Sequence, residues 1–400
     1  MPLDNINDEN ESRHFSTDSL QDLLQTVKDQ SERVQDFVAP TSSLQQRTTV
    51  LDGGGVRTDV IREASGGLPT AILEANPVAR SQIASKAGIE ARTAERLRSN
   101  YSEQYDGLIN AIWQNEPKRV TLRTHGISQK EQIFRPYPND GILRAVVSDK
   151  FKTFDNPDLV GAVVPTLLES PAQWKVVRAS ITDQKMVIRF KSDVITGTGA
   201  QVNDIMAHGL GISNSETGHG SVSVYQILWT LFCLNGMQTQ NRSRSAHLTS
   251  SRSDGDTWAM LTDESKRLDN EALSSKVRDI ASGYTSRESF EEECERMKQA
   301  ASDKIDGNPQ AAVEALGGIL KLSKNDTSSV LDGLLLTVSQ PGYAGQPVSR
   351  ATLVNAVTQA AHKAPLDHVD EWQALGGKVL DLPSNQWSTV SQAGVDKIAA

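Results

Sequence analysis

Apolar residues recur with two different periods, and these periods divide the chain into predicted strands and helices. The runs 174–181 and 185–191 alternate apolar and polar residues around a polar turn, which predicts a β-hairpin. Shorter apolar stretches at 210–213 and 221–224 predict two further strands, whereas the long, largely apolar run 225–234 predicts a buried helix. The middle of the chain therefore predicts a β-β-β-α order.

Helical spacing dominates most of the remaining chain. Residues 77–115 predict two or three short helices, and residues 155–168 predict a helix that Pro165 kinks or ends. A charged helical region at 263–306 precedes a series of short helices. The sequence therefore predicts an α+β fold, in which a central twisted antiparallel sheet is flanked by helices and followed by a helical C-terminal part.

The N-terminal region has a more polar composition and predicts a mostly disordered arm. Within it, residues 16–38 place apolar side chains at helical spacing, which predicts one amphipathic helix suited to docking a partner protein. The glycines at 53–55 predict a linker over 49–68. The predicted division is an acidic arm at 1–72, an α+β core domain at 73–253 and a helical region at 254–400.

Composition narrows the classes of function. The 41 basic and 50 acidic side chains give a net charge of −9, which excludes a molecule that is a cationic nucleic-acid clamp throughout. Two cysteines, Cys233 and Cys294, are too few for a disulfide scaffold, and no apolar stretch is long enough to span a membrane. We therefore expect a cytoplasmic protein that makes no membrane contact.

Basic residues are concentrated in the middle of the chain. Residues 118–152 carry eight basic and three acidic side chains, and residues 171–253 carry eight and four. Along the hairpin, basic residues alternate with apolar ones, which predicts a cationic sheet face opposite the core. Phosphate contacts are predicted for ten residues: Arg123, Arg135, Arg144, Lys152, Arg178, Arg189, Lys191, Arg242, Arg244 and Arg252. Three aromatic residues among them are predicted to stack on bases: Tyr137, Phe151 and Phe154. Solvated charges and half-buried aromatic rings are the alternative interpretation.

The usual enzyme motifs are absent, which leaves two weaker catalytic hypotheses. One is a metal or Ser/His site built from a polar cluster: His208, Ser213, Ser215, Glu216 and His219. The other is a Mg²⁺ site formed by Asp149, Asp155 and Asp158. Ordinary turn formation and helix capping by Asp155 explain the same residues. We therefore predict no catalytic residue, no bound metal and no cofactor.

Four segments resemble the phage- and plasmid-associated domain of unknown function family 932. They are residues 143–159 (LRAVVSDKFKTFDNPDL), 211–224 (GISNSETGHGSVSV), 231–237 (LFCLNGM) and 353–358 (LVNAVT). The resemblance extends over residues 73–387 and implies a bacteriophage or mobile-element protein made in a bacterial cytoplasm. It also directs attention to Arg242, Arg244 and His247 after the CLNG motif, and it implies no established activity. The acidic arm is a departure from the family pattern.

Three functions follow as expectations. The first is a non-enzymatic protein that binds single-stranded DNA, forms a homo-oligomer and assists recombination or replication; the predicted topology is similar to that of phage single-strand annealing proteins. The second is a structural or protein-interaction component that binds phage or host proteins through the N-terminal helix. Such a component would be virion-associated or would act against host defence. The third is a metal-dependent enzyme acting on nucleic acids through Asp149, Asp155, Asp158 or His219.

Overall fold

Two β-sheets with separate hydrophobic cores organise the chain. The computed structural model describes residues 15–53, 55–63, 69–126, 141–199, 205–230, 235–238, 246–247, 261–340, 342–364 and 368–395. The strands are β1 (Phe15–Thr17), β2 (Phe37–Pro40), β3 (Leu44–Val50), β4 (Val56–Glu63), β5 (Pro69–Ala75), β6 (Arg119–Gly126), β7 (Gly141–Ser148), β8 (Trp174–Ile181), β9 (Met186–Thr198), β10 (Ile205–Asn214), β11 (Ser223–Thr230), β12 (Asn235–Gln238) and β13 (Ala246–His247). The predicted α+β class is confirmed.

Most helices lie in the C-terminal half of the chain. They are α1 (Leu20–Ser31), α2 (Pro77–Lys86), α3 (Ala91–Asn100), α4 (Ser102–Asn115), α5 (Asn156–Glu169), α6 (Asp263–Tyr284), α7 (Arg287–Ser302), α8 (Pro309–Leu320), α9 (Lys324–Val338), α10 (Arg350–Ala360), α11 (Val369–Leu380) and α12 (Ser384–Ser391). Pro165 lies inside α5, which continues past it to Glu169. Within the described ranges, no helix is both long enough and apolar enough to cross a bilayer.

The first sheet is mixed and has the order β2-β6-β7-β5-β4-β3. Only the β5–β7 pair is parallel among its described pairs. Helices α2, α3 and α4 cover one of its faces, where Ile83, Ile109 and Leu122 are buried in a common cluster. This sheet uses much of the N-terminal region that the sequence predicts to be a disordered arm.

The predicted linker at 49–68 is wrong as well. Strands β3 and β4 form an antiparallel hairpin in which Val50 faces Val56, and the N–H of Leu51 donates to the carbonyl of Gly55 at 2.8 Å. Gly53 adopts a φ of 107°, a backbone conformation that glycine reaches without a steric penalty. Gly53 and Gly55 therefore lie in a tight turn between the two strands.

The predicted N-terminal helix over 16–38 is confirmed only in part, because helix α1 covers Leu20–Ser31 and Phe37–Pro40 form strand β2. Helix α1 starts at Leu20, after the N-cap Ser19, and Leu23 and Val27 are buried against the larger core. Burial of a leucine side chain contributes about 1.5–3 kcal/mol, which accounts for the docking of α1 onto α5. A partner that binds this helix would have to use its exposed residues, so that role stays a prediction.

The second sheet is antiparallel and has the order β1-β8-β9-β10-β11-β12, with β13 also paired to β11. One of its faces packs against α5, α6, α7 and the C-terminal helices, and Ile188, Leu210 and Leu228 contribute to that core. The predicted hairpin is confirmed as β8 and β9. The predicted helix at 225–234 is wrong, because residues 223–230 are strand β11.

Candidate nucleic-acid interface

Basic residues of β8 and β9 face each other across the hairpin. The register pairs Lys175 with Lys191 and Arg178 with Arg189. Their neighbours Val176 and Phe190 pack with the core, so the basic side chains project from the opposite face, as the alternation predicts. We call Lys175, Arg178, Arg189 and Lys191 the cationic face. Its two basic pairs lie about 7 Å apart along the strands, since Arg189 and Lys191 are two residues apart and a strand rises about 3.3 Å per residue.

Like charges directly opposite each other on a sheet destabilise the strand pairing, unless each charge has an anionic partner nearby. Arg189 is buried and forms an ion pair with Asp370, and Lys175 forms one with Asp193 while remaining exposed. Arg178 is exposed, and its Nε donates to the Ser16 hydroxyl at 3.3 Å. Among the described residues, neither Arg178 nor the half-buried Lys191 forms an ion pair within 4.0 Å. Two of the four cations are therefore free to meet an anion.

Two aromatic side chains lie on the same side of the second sheet, next to the basic rows. Tyr225 and Trp229 project from β11 away from the large core and form a small buried cluster with Ala207 and Ile227. The indole N–H of Trp229 donates to the carbonyl of Phe190 at 3.2 Å. These residues were not predicted as part of the site, because the apolar run 225–234 predicts a buried helix.

Glycines on β10 make room for these rings. Gly211 faces Tyr225 in the register, and Gly209 lies beneath Trp229, so that a Cβ at either glycine would overlap the ring. The rings lie over the strand because no side chain stands between them and the backbone. This explains why a Gly-Leu-Gly sequence occurs in the middle of a buried strand.

Gly211→Ala is expected to lower the free energy of unfolding by about 1–3 kcal/mol, the usual cost of overpacking. Gly161→Ala is the matched control, because a Cβ at this exposed helical position in α5 meets nothing within 4 Å. Alanine there should stabilise by about 0.5–1 kcal/mol. Urea unfolding of both variants tests the packing, and equal effects at the two glycines would contradict it.

Arg123 and Arg144 are predicted phosphate ligands, and the structure corrects this prediction. Arg123 is fully buried; its Nη2 donates to Asp155 Oδ1 at 2.6 Å and its Nε lies 3.0 Å from Asp36 Oδ2. Arg144 Nη1 donates to Glu216 Oε2 at 2.6 Å. These side chains form one ionic network in which Arg123 is fully buried and the half-buried Arg144 is held by Glu216, so carboxylates of the chain itself occupy both guanidinium groups.

The ionic network joins the first sheet to the start of α5. Glu216 Oε1 accepts the Asn156 N–H at 2.8 Å, and the Asn214 amide donates to the Phe154 carbonyl at 2.8 Å. Burial, the largest influence, raises the pKa of Asp155 although Arg123 opposes it. Burial also disfavours charge on Glu216, yet Arg144 and the Asn156 N–H together hold its pKa below the usual range. Two of the segments that carry the family resemblance meet here.

Other predicted residues have structural partners. Lys152 forms an ion pair with Asp269, and Arg189 is occupied by Asp370. Phe154 is buried in the large core, and the half-buried Phe151 packs against a small apolar cluster with Val147, so neither ring is free to stack on a base. Five predicted contacts lie outside the described residues: Arg135, Tyr137, Arg242, Arg244 and Arg252.

The residues of the catalytic hypotheses shape a turn instead. The Ser215 hydroxyl donates to the Gln184 carbonyl at 2.6 Å and accepts the His219 N–H at 2.8 Å, while Thr217 also bonds the hairpin turn. Asp155 is the N-cap of α5, and its own N–H donates to Asp158 at 3.0 Å, which confirms the capping interpretation. No group of three or more His, Cys, Asp and Glu side chains in the described ranges is arranged to hold a metal.

His208 lies in the large core, away from that turn. Its ring stacks on Phe290 at 5.1 Å and meets Trp174 edge-on. Its Nε2 lies 3.1 Å from the Gln226 amide nitrogen, and Ser289 donates to the Gln226 oxygen at 3.1 Å. Because the amide nitrogen is a donor, His208 Nε2 must accept, which requires the neutral ring.

Comparison with known proteins adds no relative. No protein-family model, curated protein or solved structure matches this chain. The resemblance to family 932 therefore stays a prediction. The geometry of the second sheet is the basis for a proposed function.

Proposed function

We propose that this protein binds single-stranded nucleic acid on the cationic face of β8 and β9, without catalysing a reaction. The resemblance described above suggests the setting, a bacteriophage or mobile-element protein that assists recombination or replication in a bacterial cytoplasm. Homo-oligomerisation belongs to the same proposal, since annealing-type activity brings several strands together.

One observation carries the proposal, namely the pairing of like charges in register at the cationic face. Lys175 opposes Lys191 and Arg178 opposes Arg189, an arrangement that disfavours the strand pairing unless anions lie nearby. The fold supplies carboxylates for Lys175 and Arg189. Arg178 and Lys191 form no ion pair within 4.0 Å among the described residues, although the charge of Asp193 acts on Lys191. A phosphate backbone would supply both with a direct anionic partner.

The shape of the site favours single strands over a duplex. The basic side chains project from two neighbouring strands of a sheet, so they can contact successive phosphates of one single-stranded backbone. Six of the ten predicted phosphate contacts lie in the described ranges, and none of these six is on a helix that could enter a duplex groove. Phe154 is buried, Phe151 is half-buried against Val147 and Tyr137 lies outside the described residues, so the proposal depends on phosphate contacts and we expect binding with little sequence preference.

Replacing both free cations tests the proposal. Arg178→Ala combined with Lys191→Ala should weaken binding to fluorescein-labelled oligothymidine and oligoadenosine alike by at least about tenfold, because two phosphate contacts are lost. Fluorescence anisotropy measures this effect at low salt.

The matched control removes two cations elsewhere. Arg267→Ala with Lys298→Ala changes the net charge equally, at exposed positions on α6 and α7 that pair with glutamates of their own helices. This control should bind within about twofold of the wild type, since surface pairs far from the site contribute little. Equal weakening in both double variants would show a general charge effect and contradict the proposed face.

A further inference from the structure

An acidic side chain of this chain already occupies part of the cationic face. Asp370 forms an ion pair with Arg189 and lies 3.6 Å from Lys185 Nζ through its other oxygen. Both partners come from the hairpin of β8 and β9, whereas Asp370 comes from the first turn of α11. One carboxylate therefore bridges two cations, which is the same arrangement that a phosphate oxygen pair would adopt.

The contact is largely shielded from water. The side chains of Arg189, Asp370 and Lys185 are 6%, 13% and 15% exposed. Tyr225 adjoins them: burial raises its pKa strongly, and the charge of Asp370 raises it further. Loss of one partner from a shielded ion pair leaves an uncompensated charge, which is strongly destabilising. An anion that binds Arg189 must therefore take the place of the Asp370 carboxylate.

The first turn of α11 is less buried than the end of the helix. Val379 at the C-terminal end is buried in the large core, whereas in the first turn Glu371 is exposed and Trp372 packs against that core while only partly buried. Arg189 Nε and Gln373 Oε1 are both buried and lack a hydrogen-bond partner. Unsatisfied buried polar atoms cost free energy, so this arrangement of the turn is less stable than a fully hydrogen-bonded one would be.

We propose that Asp370 is an internal competitor, which holds the place of a phosphate on the cationic face and is displaced when single-stranded nucleic acid binds. This inference rests on the proposed function. It adds that Arg189, buried in the free protein, becomes a phosphate ligand in the complex. Binding would then be coupled to release of the first turn of α11.

Removing the competing charge tests the inference. Asp370→Asn should tighten binding to labelled oligothymidine at least about fivefold, the lower end of typical coupling effects. Asp332→Asn is the control: it removes the same charge from an exposed ion pair with Lys363 and should leave affinity within about twofold. Unchanged affinity in Asp370→Asn, with normal binding by the wild type, would overturn the inference and leave the proposed function intact.

A second measurement covers the case in which Asp370→Asn destabilises the fold. Hydrogen exchange of the wild-type protein should become faster at the amides of residues 369–373 when oligothymidine binds, because the turn is released. A purely structural ion pair would show unchanged or slower exchange, and this result would overturn the inference. If neither the wild type nor Asp370→Asn binds the oligonucleotide, the proposed function itself fails.

Discussion

Arg123→Met is expected to lower the free energy of unfolding by about 3–5 kcal/mol, the largest effect of any substitution considered. The side chain is fully buried and contacts both Asp36 and Asp155. Methionine removes the guanidinium that contacts both carboxylates and leaves only the more distant charge of Arg144, in surroundings where burial already raises the pKa of each carboxyl group. Urea unfolding at neutral pH measures the loss.

Two comparisons make this result specific. Lys363→Ala breaks an exposed ion pair with Asp332 and should cost no more than about 1 kcal/mol. Adding Asp155→Asn to Arg123→Met removes one stranded carboxylate, so the double variant should recover part of the loss. A loss below about 1 kcal/mol in Arg123→Met would mean that the network does not hold the first sheet to α5.

Acidification is expected to destabilise the protein by about 3 kcal/mol through His208 alone. Burial lowers the pKa of His208 to about 4, compared with an ordinary value of 6.5, and a backbone hydrogen bond to Tyr284 opposes the shift only in part. Between these values the unfolded chain takes up the proton and the folded chain does not. Stability due to this group is therefore present above pH 6.5 and is lost as the pH falls towards 4.

His208→Gln separates this effect from the titration of other groups. Glutamine keeps a hydrogen-bonding side chain near Gln226 but does not titrate in this range. Denaturant unfolding at pH 7 and pH 4 should show that the wild type loses about 3 kcal/mol more than the variant. Equal losses in both proteins would contradict a buried, neutral His208.

The fold was predictable where the two faces of a strand differ in composition. Strands β8 and β9 alternate because apolar residues on one face pack in the large core while the other face carries basic residues, so both their existence and the shared side of their basic residues follow from the sequence. Strand β11 is buried on both faces, with Leu228 in the large core and Trp229 in the small cluster. Its apolar run therefore has no period of two and imitates a buried helix.

The candidate site was predictable only in part, because charge partners are distant in sequence. Arg189 and Asp370 are 181 residues apart, and Arg123 meets Asp155 across 32 residues. Local charge counts cannot show that such cations are neutralised inside the fold. Arg178 and Lys191 remain as the predicted contacts that the described structure leaves at the surface and without an ion pair.

The salt dependence of wild-type binding tests the central claim most directly. If the cationic face binds a phosphate backbone through Arg178 and Lys191, the logarithm of the association constant for oligothymidine should fall by at least about 1.4 per tenfold rise in salt, about 0.7 for each contact. Anisotropy titrations between about 50 and 200 mM salt give this slope. No binding at the lowest salt, or an affinity independent of salt, would contradict the account.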